Sequence, residues 1–136
     1  MAIKEFRMLE ALSSDRLPQP RFRYSQLVKA GPYLQSAGMI ALDLTTGMLV
    51  PGGVYQETRK ILENITQALP DFGLSLSHMV GARIFTTHFG QFSEINRAWE
   101  EVFTENVRPP ARTAVGVSEL PLGASVEIEF NFYKAE

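Results

Sequence analysis

Apolar and polar residues alternate along residues 125–133, and the same period of two runs through residues 112–118. Side chains of a β-strand point alternately to opposite faces of the sheet, so each segment is predicted to be a strand. We expect Thr113, Val115 and Val117 to share one face with the apolar residues of 125–133 and to pack on helices. The opposite face is expected to combine small and charged residues: Arg112, Ala114, Gly116, Glu127 and Glu129.

Two amphipathic helices are predicted upstream of these strands. Apolar residues recur at helical spacing along residues 54–72 and again along residues 92–104, and each segment carries charged residues on its other side. Pro70 removes a helical hydrogen bond and clashes one turn back, so we expect either a kink there or the end of the regular helix by Leu69.

Four further strands are predicted at residues 3–9, 24–30, 33–41 and 79–87, and Gly31-Pro32 is predicted to form a tight hairpin connection. The resulting order is β-β-β-α-β-α-β-β. Such an order favours an α+β sandwich with one sheet and both helices on one side of it. Because the chain shows neither an internal repeat nor a linker, residues 1–136 are expected to form a single domain.

Composition narrows the classes of function. The chain has no cysteine, which excludes disulfides, thiolate nucleophiles and thiolate metal sites. Its net charge of −2 disfavours a strongly basic nucleic-acid binder. His78 and His88 lack metal-ligand spacing, so no metal is expected. No apolar run approaches the roughly 20 residues that cross a bilayer. We therefore expect a cytoplasmic protein that does not enter the membrane.

Arg112 and Glu127 are the candidates for chemistry. Pro109 and Pro110 stiffen the chain before Arg112, and a guanidinium held in place can bind a carboxylate through two parallel hydrogen bonds. Glu127 could act as a general acid or base. The pattern alone favours a surface ion pair for Arg112 and solvated carboxylates at Glu127 and Glu129, and it also allows a salt bridge between Arg112 and Glu127.

The sheet face that carries these charges also allows two interpretations. It could lie in water, as one face of an antiparallel sheet often does, or it could pack against copies of the same chain and form partly desolvated clefts.

A small cluster of basic and aromatic residues lies near the start of the chain. It could bind RNA phosphates and stack bases, but a solvated segment is the favoured interpretation. Its members are Arg16, Arg21, Phe22, Arg23, Tyr24 and Lys29.

Several separated motifs fall in an order that matches a known family. Residues 110–115, Leu120-Pro121 and residues 126–129 resemble the C-terminal signature of the Rid/YjgF family, in which the key arginine and glutamate are fifteen positions apart, as Arg112 and Glu127 are here. These proteins are reactive intermediate (imine/enamine) deaminases, also labelled L-PSP endoribonucleases or translation inhibitors. The resemblance extends upstream through Tyr24, Gly38, Thr46-Gly47, Asn64-Ile65, Phe85, Asn96 and Phe103.

The resemblance implies a chorismate-mutase-like fold and a homotrimer with ligand clefts between subunits. It further implies that Arg112 binds the carboxylate of a small 2-imino acid and that Glu127 orients or activates the attacking water. Tyr24, Ala37, Gly38 and Ala114 would line the cleft. The reaction would be hydrolysis of the imine, or of its 2-aminoacrylate-type enamine tautomer, to a 2-oxo acid and ammonia. It requires no cofactor.

Two positions depart from the family pattern. Many members have a serine or threonine immediately before the glycine that is Gly38 here, whereas this chain has Ala37, and Ser36 is expected to face the other way. Many members have cysteine where this chain has Ala114. These changes motivate a second hypothesis, a non-catalytic trimeric small-molecule-binding or chaperone-like protein. An endoribonuclease or translation inhibitor is a third and less favoured one.

Overall fold

The computed structural model describes residues 9–135. The strands are β1 (Leu9–Leu12), β2 (Leu27–Ala30), β3 (Tyr33–Ser36), β4 (Met79–Thr86), β5 (Ala111–Gly116) and β6 (Val126–Tyr133), and the helices are α1 (Val54–Ala68) and α2 (Phe92–Val102). The strands form one six-stranded mixed sheet in the order β1-β2-β3-β6-β4-β5. Neighbouring strands are antiparallel except β4 and β5, which are parallel and are joined through helix α2, as a parallel pair requires.

Both helices pack on one face of the sheet, and the opposite face is called the open face below. Alternate residues of β6 point toward the helices and are fully buried, as the period of two predicts. They meet Ile61 and Ile65 of α1 and Ile95 and Trp99 of α2 in one core cluster. A fully buried side chain of this size contributes about 1.5–3 kcal/mol, so this layer stabilises the fold. The predicted chorismate-mutase-like α+β sandwich is confirmed.

The end of α1 follows from Pro70. The α-helix ends at Ala68, and a 3₁₀ turn continues over Leu69–Phe72. Gly73 terminates this turn in the left-handed region at φ 72°, where a residue without a Cβ has no steric penalty. The prediction that regular helix stops by Leu69 is confirmed.

Three strand predictions differ from the structure by three residues or more at one end, and one of them, predicted at residues 24–30, begins at Leu27. The first strand was predicted at residues 3–9 and is found at Leu9–Leu12, and residues 3–8 lie outside the described part of the chain. The strand predicted at residues 33–41 ends at Ser36. A backbone bulge interrupts it there, so that a period of two across the whole segment does not hold.

The bulge is visible in the pairing of this segment with β6. Gln35 pairs with Asn131 and Met39 pairs with Ile128, so three residues (36–38) face two residues (129–130). An extra residue of this kind bends the strand and leaves backbone groups to be satisfied by other means. Here the Phe130 N–H donates to Ser36 Oγ at 2.9 Å. The Ser36 side chain that makes this bond is buried. This agrees with the expectation that Ser36 faces the other way and does not replace the hydroxyl that Ala37 lacks.

The predicted faces of β5 are wrong. Because β4 pairs with both neighbours, its residues show which side chains share a face. Ile84, which is fully buried, lies beside Ala114 on one side and Ile128 on the other. Ala114 and Arg112 are therefore on the helix face, whereas the pattern placed them on the face of Glu127.

The alternate residues of β4, β5 and β6 point to the open face. Arg83 lies beside Thr113 and Glu129, and Phe85 lies beside Val115 and Glu127. β5 is an edge strand, and Val115 is 41% exposed. The branched residues of an edge strand need not point toward the core. The apolar residues of β5 therefore predicted the wrong face of the strand as the helix face.

Replacing Ser36 with alanine tests the bulge. The change leaves the buried Phe130 N–H without its acceptor, so we expect the free energy of unfolding to fall by about 1–3 kcal/mol in a urea titration. Ser118→Ala is the matched control, because Ser118 is exposed, and its effect should stay within about 0.5 kcal/mol. Equal values for the two variants would contradict the role given to Ser36.

Candidate functional site

A cavity of about 530 Å³ opens beside the start of β6. Three segments wall it: the chain before β2, the bulge after β3, and the turn before β6. Its lining residues are Leu17, Pro18, Gln19, Arg21, Phe22, Tyr24, Gln26, Ala37, Gly38, Met39, Ile40, Leu42, Pro121, Leu122 and Glu127. Four predicted site residues, Tyr24, Ala37, Gly38 and Glu127, are thus brought together at one cavity.

Glu127 is the charged centre of the cavity. Its side chain is half-buried, and none of the described residues hydrogen-bonds to its carboxylate. Burial raises the pKa of Glu127 above the ordinary glutamate value, and the nearby charge of Glu129 raises it further. Both causes act against the ionised form, so proton uptake becomes easier at this position. A carboxyl group of this kind is suited to acid and base chemistry.

Gly38 is held against this carboxylate by the bulge. A Cβ at position 38 would overlap Oε2 of Glu127, so the close approach requires glycine or a displaced glutamate. Met39 secures the segment by exchanging two backbone hydrogen bonds with Ile128, of 2.9 and 3.0 Å. The Ala37 N–H donates to the Gln26 carbonyl at 3.0 Å, which ties the other end of the bulge to the segment before β2.

Tyr24 enters the cavity wall from the irregular segment that precedes β2. Gln26 fixes this segment, since its side chain accepts a 2.7 Å bond from the Ser14 N–H and donates a 3.0 Å bond to the Pro18 carbonyl. Arg21 donates to the Gly47 carbonyl and so attaches the same segment to the turn after the bulge. The wall is therefore built by backbone contacts rather than by a regular strand, whereas the sequence predicted a strand beginning at residue 24.

Arg112 lies on the other side of the sheet, against α2. One of its Nη2 donors bonds to Asn96 Oδ1 at 2.7 Å, and its Cζ lies 5.3 Å and 5.1 Å from the ring centroids of Phe92 and Trp99. Burial lowers the pKa of Arg112, and the charge of Glu100 acts in the opposite direction. A guanidinium carries five N–H donors, so one fixed by Asn96 retains an edge for a carboxylate.

The structure therefore separates the two central candidates. Within one chain, Arg112 is on the helix face of the edge strand β5, and Glu127 is on the open face of β6. The expectation that both point to one face, and with it an intrachain salt bridge, is wrong. Ala114 shares the helix face with Arg112 and packs against the core, so it is not in the cavity of Glu127.

Sequence reasoning missed several cavity residues. Arg21 and Phe22 stood out only as part of a basic and aromatic cluster, and they prove to line the cavity instead. Leu122 gave no signal, because its position depends on a turn in which it adopts a positive φ of 57°. The two histidines serve local structure, since His78 accepts the Ser75 N–H through Nδ1.

The described residues contain no group of three or more histidine, aspartate or glutamate side chains placed to hold a metal ion. Among the helices of residues 9–135, none combines the length and the apolar character that crossing a membrane takes.

A mixed sheet with two helices on one face, and a half-buried glutamate at a cavity beside it, defines an α+β protein of the chorismate-mutase-like fold with a candidate ligand site. The model of the family described as Endoribonuclease L-PSP matches residues 14–132. The chain belongs to this family, and the Rid/YjgF resemblance is confirmed.

Named relatives and a solved structure extend this finding. A RutC family protein of Pyrococcus horikoshii is 38% identical over 127 residues, covering 93% of this chain and 99% of its own. A protein of Dermatophagoides farinae named 2-iminobutanoate/2-iminopropanoate deaminase is 35% identical over 118 residues, covering 87% and 91%. The solved structure of E. coli TdcF with bound serine aligns with a TM-score of 0.86 at 28% identity, covering 93% of this chain and 99% of that one.

Replacing Glu127 with glutamine tests the raised pKa. A carboxyl whose pKa is higher in the folded than in the unfolded chain favours folding while it is protonated. This contribution to stability is complete at pH values below the pKa of the unfolded chain, and it is lost as the pH rises through the pKa of the folded chain. Because glutamine does not ionise, we expect E127Q to have a higher urea midpoint than wild type at about pH 7.5, and the difference to vanish near pH 4.

Glu63→Gln is the control for this pair of measurements. Glu63 lies on α1, and its side chain is 52% exposed beside Lys60, so its removal should bring no gain in stability at neutral pH. A gain for E127Q that is the same at both pH values would contradict the raised pKa.

Proposed function

We propose that the protein is a hydrolytic deaminase that converts 2-imino acids, or their enamine tautomers, to 2-oxo acids and ammonia. The single observation that carries the proposal is Glu127, a half-buried carboxylate with a raised pKa and no hydrogen-bond partner among the described residues, at the wall of a ligand-sized cavity. The deaminase name of several relatives supports it, as does an amino acid bound in one similar structure.

The reaction requires a positioned substrate, a positioned water molecule and one group that transfers protons. Water adds to the carbon of the protonated imine, the C–N bond then breaks, and one ammonium ion is released as the 2-oxo acid forms. Glu127 would accept a proton from the attacking water and return it to the nitrogen, which then leaves as ammonia. The hydroxyl of the intermediate loses its proton as the C=O bond forms, and ammonia takes up this proton to give ammonium. A raised pKa makes the neutral form of this carboxyl easier to reach than that of an ordinary glutamate, which favours this double role.

Arg112 would bind the substrate carboxylate. Its contact with Asn96 and its position over Phe92 and Trp99 restrict the guanidinium, so a bidentate pair with a carboxylate needs little further ordering. Since Arg112 and Glu127 are on opposite faces within one chain, the site requires Arg112 of the partner subunit at the cavity of Glu127. A homotrimer with clefts between subunits would supply this arrangement.

The open face offers apolar surface for such an assembly. Tyr33 and Tyr133 are paired across β3 and β6 and are 39% and 52% exposed, and Val115 is exposed on β5. Covering these side chains with a second copy would remove apolar area from water, which favours association.

A non-catalytic binding protein is the second candidate. Ala37 lines the cavity without the hydroxyl that many family members have there, which reduces the polar contacts available to a small substrate. Ala114, on the helix face of β5 with Arg112, has no thiol. This candidate predicts that 2-oxo acids raise the melting temperature but that imines are not turned over.

The proposal is tested with 2-aminoacrylate generated in situ by a pyridoxal-phosphate lyase, following release of the 2-oxo acid. We expect wild type to accelerate release, and Arg112→Ala and Glu127→Gln each to reduce the acceleration by about 10²-fold or more.

Matched substitutions at exposed positions serve as controls. Arg97→Ala and Glu63→Gln alter side chains outside the cavity, where Arg97 pairs with Glu94 over the Tyr55 ring and Glu63 pairs with Lys60, so they should retain the wild-type rate. Equal acceleration by wild type and Arg112→Ala, or none by wild type, would contradict the assignment.

A further inference from the structure

The cavity at Glu127 is larger than a three-carbon substrate requires. Its volume of about 530 Å³ lies within the range of about 300–1,000 Å³ that holds a drug-sized ligand. Beyond its imine group and its carboxylate, 2-iminopropanoate carries only a methyl group. The cavity of one chain exceeds this molecule, and the space that Arg112 of the partner subunit does not take leaves room for a longer substituent.

The lining also favours an apolar substituent. Gln19 and Gln26 are hydrogen-bonded to backbone groups of residues 14–18, and Arg21 donates to a backbone carbonyl. Gln26 uses both ends of its amide in these bonds, whereas Gln19 Oε1, the remaining donors of Arg21 and the Glu127 carboxylate can still meet a ligand. The remaining walls are mostly aliphatic and aromatic, and an apolar group gains free energy on entering such a space.

Two large apolar side chains stand at this cavity although solvent reaches them. Phe22 is 82% exposed and Leu122 is 57% exposed, and both line the cavity. Leu122 has a φ of 57°, in a region that side chains other than glycine rarely adopt. Strained residues of this kind cluster at ligand sites, so a leucine kept in this conformation beside a cavity is evidence for a contact with ligand.

We propose that the cavity takes the side chain of the imino acid, and that the preferred substrates are 2-imino acids with branched aliphatic or aromatic side chains. Phe22 and Leu122 are the specificity-determining residues, which cover the bound side chain from water. This inference rests on the deaminase function proposed above and adds the class of side chain to it.

The test compares imines formed in situ by an amino acid oxidase with catalase from leucine, phenylalanine and alanine. Each further buried CH₂ is worth about fourfold in binding, so we expect kcat/KM for the leucine-derived imine to exceed that for the alanine-derived imine by at least about tenfold. An equal or higher kcat/KM for the alanine-derived imine would overturn the inference while leaving the deaminase function intact.

Binding of the products separates the two proposals if no imine is turned over. Calorimetry then compares 4-methyl-2-oxopentanoate with pyruvate. Tighter binding of the branched acid supports the side-chain pocket even though the deaminase function has failed. Equal or weaker binding of the branched acid overturns the pocket as well.

Variants at the two residues locate the selectivity. Phe22→Ser and Leu122→Gly should each lower the leucine-to-alanine ratio of kcat/KM by at least about fivefold. Leu122→Gly also relieves the positive φ, so a melting temperature no lower than wild type shows that the loss is not one of folding. Met48→Ala is the control, because Met48 is 68% exposed and lies outside the cavity, and it should keep the wild-type ratio. An unchanged ratio in both variants would overturn the assignment of these residues.

Discussion

The backbone bulge between β3 and β6 positions the candidate site. Three residues of one strand face two of the other, and the Ser36 hydroxyl accepts the Phe130 amide that the bulge leaves without a carbonyl. Past the bulge, Met39 resumes pairing with Ile128. The displaced backbone carries Gly38 against Glu127, and this contact shields the carboxylate from water. Burial of the charged group, and hence its raised pKa, follows from this arrangement.

The helix layer holds the same strand from the other side. Glu57 of α1 is buried, and its Oε1 accepts hydrogen bonds of 2.8 Å from the Ser125 N–H and 3.2 Å from the Val126 N–H. These contacts fix the point at which β6 begins, immediately before Glu127. The carboxylate is thus placed by a helix contact on one face and a bulge on the other, and the proposed acid–base role would require such positioning. The cavity walls are irregular segments that fixed elements support, the usual location of ligand sites.

Much of the fold could be predicted from apolar residues that recur with a period of two residues in strands and of 3.6 residues in helices. The alternation in β6 and the apolar spacing of the helices gave the layers correctly, because these elements lie at the centre of the fold and burial dictates their sequence. β5 lies at the edge of the sheet, where Val115 is exposed and Arg112 rests on α2 aromatics, so apolarity misassigned its faces. The bulge depends on one serine hydroxyl and on a register shift between distant segments, and no local pattern encodes it. The resemblance to a family supplied Tyr24, Gly38 and Glu127 as neighbours, but the placement of Arg112 on the opposite face required coordinates.

We propose that Glu127 acts together with Arg112 of the partner subunit. A decisive measurement co-expresses Arg112→Ala and Glu127→Gln chains with different affinity tags and purifies assemblies that carry both tags. In the proposed homotrimer, one cleft of the three regains both native groups, so deaminase activity should return to about a third of wild type although each variant alone is reduced by about 10²-fold or more. Activity no higher than that of the single variants would contradict a site shared between subunits.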